Sequence, residues 1–77
     1  MAQGNDVREI HVIIGCRIAE ITIDDMYVEE NGNYADGIWR VDIYHWQPAL
    51  HQKGEIIDCE TGFHSWQEAM QSAIEHM

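Results

Sequence analysis

The sequence predicts an α+β domain: a small antiparallel sheet of about four strands, with one C-terminal amphipathic helix packed on one face. Three observations carry that prediction. Apolar residues alternate at a period of two around residues 10–18 and again around 38–46, as in strands with one buried face. Asn-Gly, Asp-Gly and Thr-Gly steps separate the apolar runs. From Trp66 onward the period becomes helical.

A chain of 77 residues has room for one domain, with residues 1–6 read as a flexible lead. An apolar content of 45%, with three Trp, three Tyr and one Phe, is enough to build a core and excludes a disordered chain.

The first strand is expected over about residues 8–14, where Ile10, Val12 and Ile14 lead on to Cys16 and Ile18. Gly15 interrupts the run. The apolar set then moves to odd positions at Ile21 and Ile23, which an unbroken strand cannot do, so a turn or bulge is expected between residues 15 and 20. The second strand is read over about 18–29, with an irregularity at Asp24-Asp25 before Met26 and Val28. Asn31-Gly32 and Asp36-Gly37 mark the turn region that follows. In "IWRVDIYHW", Trp39, Val41 and Ile43 share one face, while Arg40, Asp42 and Tyr44 share the other. Pro48 stops this third strand because it cannot donate to a ladder. "GEIIDCE" is a short fourth strand closed by Thr61-Gly62.

In the tail, Trp66, Ala69, Met70, Ala73, Ile74 and Met77 form one helical stripe. Ser65 and Glu68 have the spacing of a capping box. Such a short helix is marginal alone, so its stripe must cover the sheet face of Trp39, Val41 and Ile43. Trp66 is expected to pin the two layers together.

Charge narrows the function. Fourteen carboxylates against four Lys and Arg give a formal net charge of −10. Nucleic acid and anionic membranes would repel such a chain, whereas a cationic protein would be steered toward it. The N-terminus lacks a signal-peptide pattern and no apolar run reaches membrane length, so a reducing cytoplasm is expected. Cys16 and Cys59 are then free thiols, with Cys16 expected in the core.

Catalytic and metal chemistry find little support. There is no C-x-x-C and no H-x3-H; His45, His51, Cys59 and His64 form the one conceivable ligand set, and surface histidines explain them as well. Asp24 and Asp25, adjacent in a turn, face water rather than one cleft. Cys59 paired with His45 or His64 would be a thiol site, but Asp58 and Glu60 would raise its pKa. The glycines are scattered singly, so no phosphate loop exists. No catalytic residue, metal ligand or cofactor is assigned.

Residues 38–77, with the ending "TGF.S..EA...A", resemble the tail of small α+β folds that include the HicB-type antitoxin core and double-stranded-RNA-binding-like domains. The RNA-binding version implies basic residues at the helix start, where Gln67 and Glu68 stand instead. In size and charge the chain is similar to phage-encoded inhibitors of host defence such as anti-CRISPR proteins.

These readings converge on a non-catalytic, acidic protein-binding module: an inhibitor of a basic, nucleic-acid-handling protein. Asp24, Asp25, Glu29, Glu30 and Asp36 would steer the partner, and Tyr44 and Trp46, opposite the helix-covered face, would anchor it. The alternatives are a self-associating homodimer, as the HicB-type resemblance implies, and a minor metal or thiol site.

Overall fold

A computed structural model describes residues 9–24, 26–33 and 37–77. It contains strands β1 (Glu9–Ile14), β2 (Arg17–Ile23), β3 (Trp39–Gln47) and β4 (Gln52–Phe63), followed by helix α1 (Trp66–His76). The strands form one antiparallel sheet in the order β1-β2-β3-β4. The helix lies across β2 and β3 and also touches β4. The expected fold class is therefore the observed one. The proposed lead, residues 1–6, lies outside the described residues.

β1 and β2 meet through a two-residue turn, with Ile14 opposite Arg17. Gly15 has φ +59°, the positive value that the first position of a type II′ hairpin turn requires. This turn accounts for the change of apolar parity. It also corrects the expectation for Cys16, which sits at the turn and is exposed rather than in the core.

β2 ends at Ile23, not near residue 29. Asp24 diverts the chain: its carboxylate accepts from the Met26 N–H at 3.1 Å, while its own N–H donates to the Ile38 carbonyl at 2.7 Å. A short acid that bonds to the backbone two residues on offers an alternative to the ladder. Met26 and Val28, read as strand residues, are consequently exposed. The Asn31-Gly32 turn is present as expected. The Gly32 N–H donates to the Glu29 carbonyl at 2.9 Å, and the Asn31 side chain accepts from the Asn33 N–H at 2.9 Å.

The four residues 48–51 join β3 to β4, with Gln47 opposite Gln52. His51 closes this loop with φ +49°, in the left-handed region that non-glycine residues seldom occupy. β4 is much longer than the expected "GEIIDCE". Its twelve residues face the nine of β3, and the register shifts at three places. Gly62, at one of these shifts, has φ +96°. Extra residues bend and twist a strand, which is a common state for a sheet edge.

The core lies between helix and sheet. Ala19, Ile21, Trp39, Val41, Ile43, Ala69 and Ala73 are buried, with Ile10, Val12, Ile23, Phe63, Trp66, Met70 and Met77 packed around them. Ala69 and Ala73 let the helix approach closely. The Ser65 hydroxyl accepts from the Glu68 N–H at 3.2 Å, which is the donor half of the expected cap. The helical stripe is narrower than expected: Ile74 is 51% exposed, on the flank of the helix.

Candidate functional site

The period-two geometry sorts the sheet residues into cross-strand rows. On the helix side, the row Ile10–Ile21–Val41 ends at Glu60 on β4, and Val12–Ala19–Ile43 ends at Asp58. The helix therefore seals the middle of this face, and β4 contributes carboxylates at its border.

The other face carries no helix; described segments meet it only at its two ends, where Asp24 bonds Thr61 and where His51 touches Trp46. One row runs Glu9–Thr22–Arg40–Thr61, and the next runs His11–Glu20–Asp42–Cys59. The third row is apolar and crosses all four strands: Ile13–Ile18–Tyr44–Ile56. Ile18 is buried within it, while Ile13 and Ile56 at its two ends are 51% and 53% exposed. Tyr44 and the neighbouring Trp46 are half-buried. The expected placement of both aromatics, opposite the helix, is observed.

Fixed polar groups surround these rings. The Lys53 ammonium stands 4.3 Å from the Tyr44 ring centroid and donates to Glu20 at 2.7 Å. That bond to Glu20 is the main reason its pKa lies above the ordinary lysine value. The Trp46 ring meets His51 edge-on at 6.0 Å, so the left-handed backbone at His51 turns the loop back onto Trp46. Arg40 makes two bonds to Asp42, at 3.0 and 3.1 Å, and donates to the Cys59 sulfur at 3.0 Å. Asp42 holds the Cys59 thiol above its usual pKa, chiefly by hydrogen bonding, with burial and the carboxylate charge adding to the effect. Arg40 opposes this but does not reverse it. The acid that governs this thiol is thus cross-strand Asp42, where the sequence pointed to the adjacent Asp58 and Glu60.

The open face is close to charge balance, because its cations are paired with its acids. Most of the other described carboxylates fall in two other places. Glu29 and Glu30 are exposed on the connection between β2 and β3. That connection leaves from the Trp39 end of β3, whereas Trp46 is at the other end, about 23 Å away at ~3.3 Å per residue. Asp24, expected to be a steering acid, also accepts from the Thr61 hydroxyl at 2.6 Å and so ties the loop to β4. Asp25 and Asp36 lie outside the described residues.

The sequence marks Glu55, Asp58 and Glu60 as acids clustered around the fourth strand, but not that the end of the helix joins them. Asp58 and Glu60 on β4 lie close enough to His76, at the end of the helix, for their charges to act on it. The Ser72 hydroxyl donates to Glu60 at 3.2 Å, and a shallow cleft beside it is lined by Phe63, Glu68, Gln71, Ser72 and Glu75. His76 has a raised pKa, first through its bond to the Ser72 carbonyl and then through Glu60, Asp58 and Glu75. The equal parity of Asp58 and Glu60, and the seven-residue spacing of Glu68 and Glu75, are the signals that could have placed these acids on one side.

Among the described residues, no three His, Cys, Asp or Glu side chains stand close enough to hold a metal ion. Both cysteines are free thiols. No helix is long and apolar enough to cross a membrane. No protein family, curated protein or solved structure matches this chain.

Proposed function

We propose that the protein is a non-catalytic binding module for a protein with a basic surface, and that a nucleic-acid-handling protein is the class of target it inhibits. The observation that supports this reading is the apolar row Ile13–Ile18–Tyr44–Ile56, with Trp46 beside it, on the sheet face that the helix leaves open. Half-buried aromatics, held in position by Lys53 and His51, lose little freedom on docking. The partner's basic character follows from the charge distribution. Arg40 and Lys53 are already paired internally, which leaves Glu29, Glu30, Asp58, Glu60, Glu68 and Glu75 among the acids not offset by a neighbouring Lys or Arg in a chain of net charge −10. These acids steer encounter, while the aromatics supply the contact.

Affinity capture from a cell lysate, followed by association kinetics with the captured protein, tests the reading. The paired change Tyr44→Ala and Trp46→Ala should speed dissociation by tenfold or more, on the order of two modest interface anchors. Glu29→Lys with Glu30→Lys should slow association, and added salt should act in the same direction. A captured partner indifferent to both pairs of changes overturns the proposal.

A further inference from the structure

Lys53 is one of only four Lys and Arg residues in the sequence, and it lies across the anchor of the open face. It belongs to β4, whereas Glu20, the carboxylate it binds, belongs to β2. Those strands are not neighbours. β3 lies between them, and two strand spacings amount to about 10 Å. The side chain therefore crosses β3, with its ammonium over the Tyr44 ring at 4.3 Å and on Glu20 at 2.7 Å. Asp42, two residues before Tyr44 on the same face, adds its charge to the attraction.

The acids and the lysine are held with different firmness. The Glu20 and Asp42 side chains are 19% and 14% exposed, on the two strands that carry the core of the sheet. Lys53 is 39% exposed and stands on the irregular strand, where the register shifts between Tyr44 and Trp46. An ion pair this open to water contributes little, and a long lysine loses rotamer freedom in making it. The ring and the carboxylate are thus fixed, while the cation above them is free to leave.

We propose that Glu20 and the Tyr44 ring form a seat for one Lys or Arg side chain of the partner, and that Lys53 is an internal stand-in which covers the ring until that side chain displaces it. The inference rests on the basic-partner reading and names the groups that receive one of the partner's cations. Lys53 itself displays the chemistry the seat accepts, a cation between an aromatic face and a carboxylate. An arriving guanidinium has the advantage over the ammonium, because it stacks on a ring and can bond both oxygens of a carboxylate. The exchange keeps a cation on the ring, so Tyr44 stays where Lys53 held it. An apolar surface without a cation would leave Lys53 in place and meet a covered ring, so the same contact rejects wrong partners.

Small cations test the seat without the partner. N-acetyl-arginine amide, N-acetyl-lysine amide and the uncharged N-acetyl-norleucine amide are titrated into the full chain while NMR follows the Tyr44 ring signals. Both cations should saturate the ring shifts, and the norleucine derivative should not move them. Lys53→Met should lower the apparent dissociation constant about threefold or more, the factor for a seat that Lys53 fills at least about two-thirds of the time. Arg17→Met removes the same charge elsewhere and should change it far less. In the Lys53→Met background, Glu20→Gln should abolish saturation, whereas Glu9→Gln, the same loss of charge on the same face, should retain it. Circular dichroism melting confirms that each variant folds. Equal effects of Lys53→Met and Arg17→Met would reduce the seat to general electrostatics and overturn the proposal. So would a Lys53→Met protein that melts earlier without binding more tightly, which would make Lys53 a tie between strands and nothing more. A captured partner that needs Tyr44 and Trp46 but binds native and Lys53→Met protein equally overturns the seat alone. Saturation by both cations with no basic partner captured supports the seat and counts against the basic-partner reading.

Discussion

β1 and β4 border the same sheet, yet they are built in opposite ways. β4 takes twelve residues to follow nine of its neighbour, and both its faces are exposed over most of its length. β1 follows β2 residue for residue, with Ile10 and Val12 packed against the core. An edge that is kinked and acidic resists addition of another strand, whereas a regular apolar edge accepts it. Between them, β2 and β3 carry the buried residues of the sheet and support the helix. Stability should therefore concentrate in the central pair, and recognition at the borders and on the open face.

The largest expected effect tests that division. Ile21 is fully buried on β2, and Ile21→Ala should cost about 2–5 kcal/mol in urea denaturation. Ile56→Ala, on exposed β4, should cost no more than about 0.5 kcal/mol. Equal losses would show β4 to be packed as tightly as the centre and would break the comparison. A smaller effect tests whether the irregularity of β4 is a fixed feature. Gly62→Ala places a side chain at φ +96° and should cost about 1–3 kcal/mol, although the added carbon would meet Tyr27 Oη at an ordinary 3.6 Å. An unchanged midpoint would mean that the edge relaxes without penalty.

The smallest effect concerns the acids shared by β4 and the helix end. Folding raises the pKa of His76, so the protonated ring binds more favourably in the folded protein than in the unfolded one. This contribution is fully present below the ordinary histidine value near 6.5 and fades as pH rises through the higher folded value. The melting temperature of the native protein, relative to His76→Gln, should accordingly fall over that window. A difference that stays flat or grows with pH would show that Glu60 and Asp58 do not act on this ring.

Local signals made much of the fold legible. The alternation in "IWRVDIYHW" placed β3 and its faces, and the Ser65–Glu68 spacing with the alanine-rich stripe placed α1. What was not legible depended on partners distant in sequence or on competing side chains. Nothing in the "TIDDMYV" pattern reveals that Asp24 bonds to Met26, Ile38 and Thr61, yet those bonds end β2 at Ile23. The length of β4 was missed because its three irregularities remove the period-two pattern by which strands are read. For the candidate site, the parity of Tyr44 and Trp46 was enough to put them on the open face. Glu29 and Glu30 read as steering acids, but their place relative to those rings was not legible: the β2–β3 connection carries them to the far end of the sheet. Linear proximity of charges does not give the direction in which a connection leaves.

The strand order has a consequence for how the chain reaches this state. Each strand neighbours the one before it, so all the ladders can close as hairpins between adjacent segments, and no crossover has to be threaded. Short loops bring their ends together at small entropic cost, and the long one, residues 24–38, is cinched by Asp24 at its base. Pairing consecutive strands costs less loop-closure entropy than a crossover would, although the helix has still to reach back to β2 and β3.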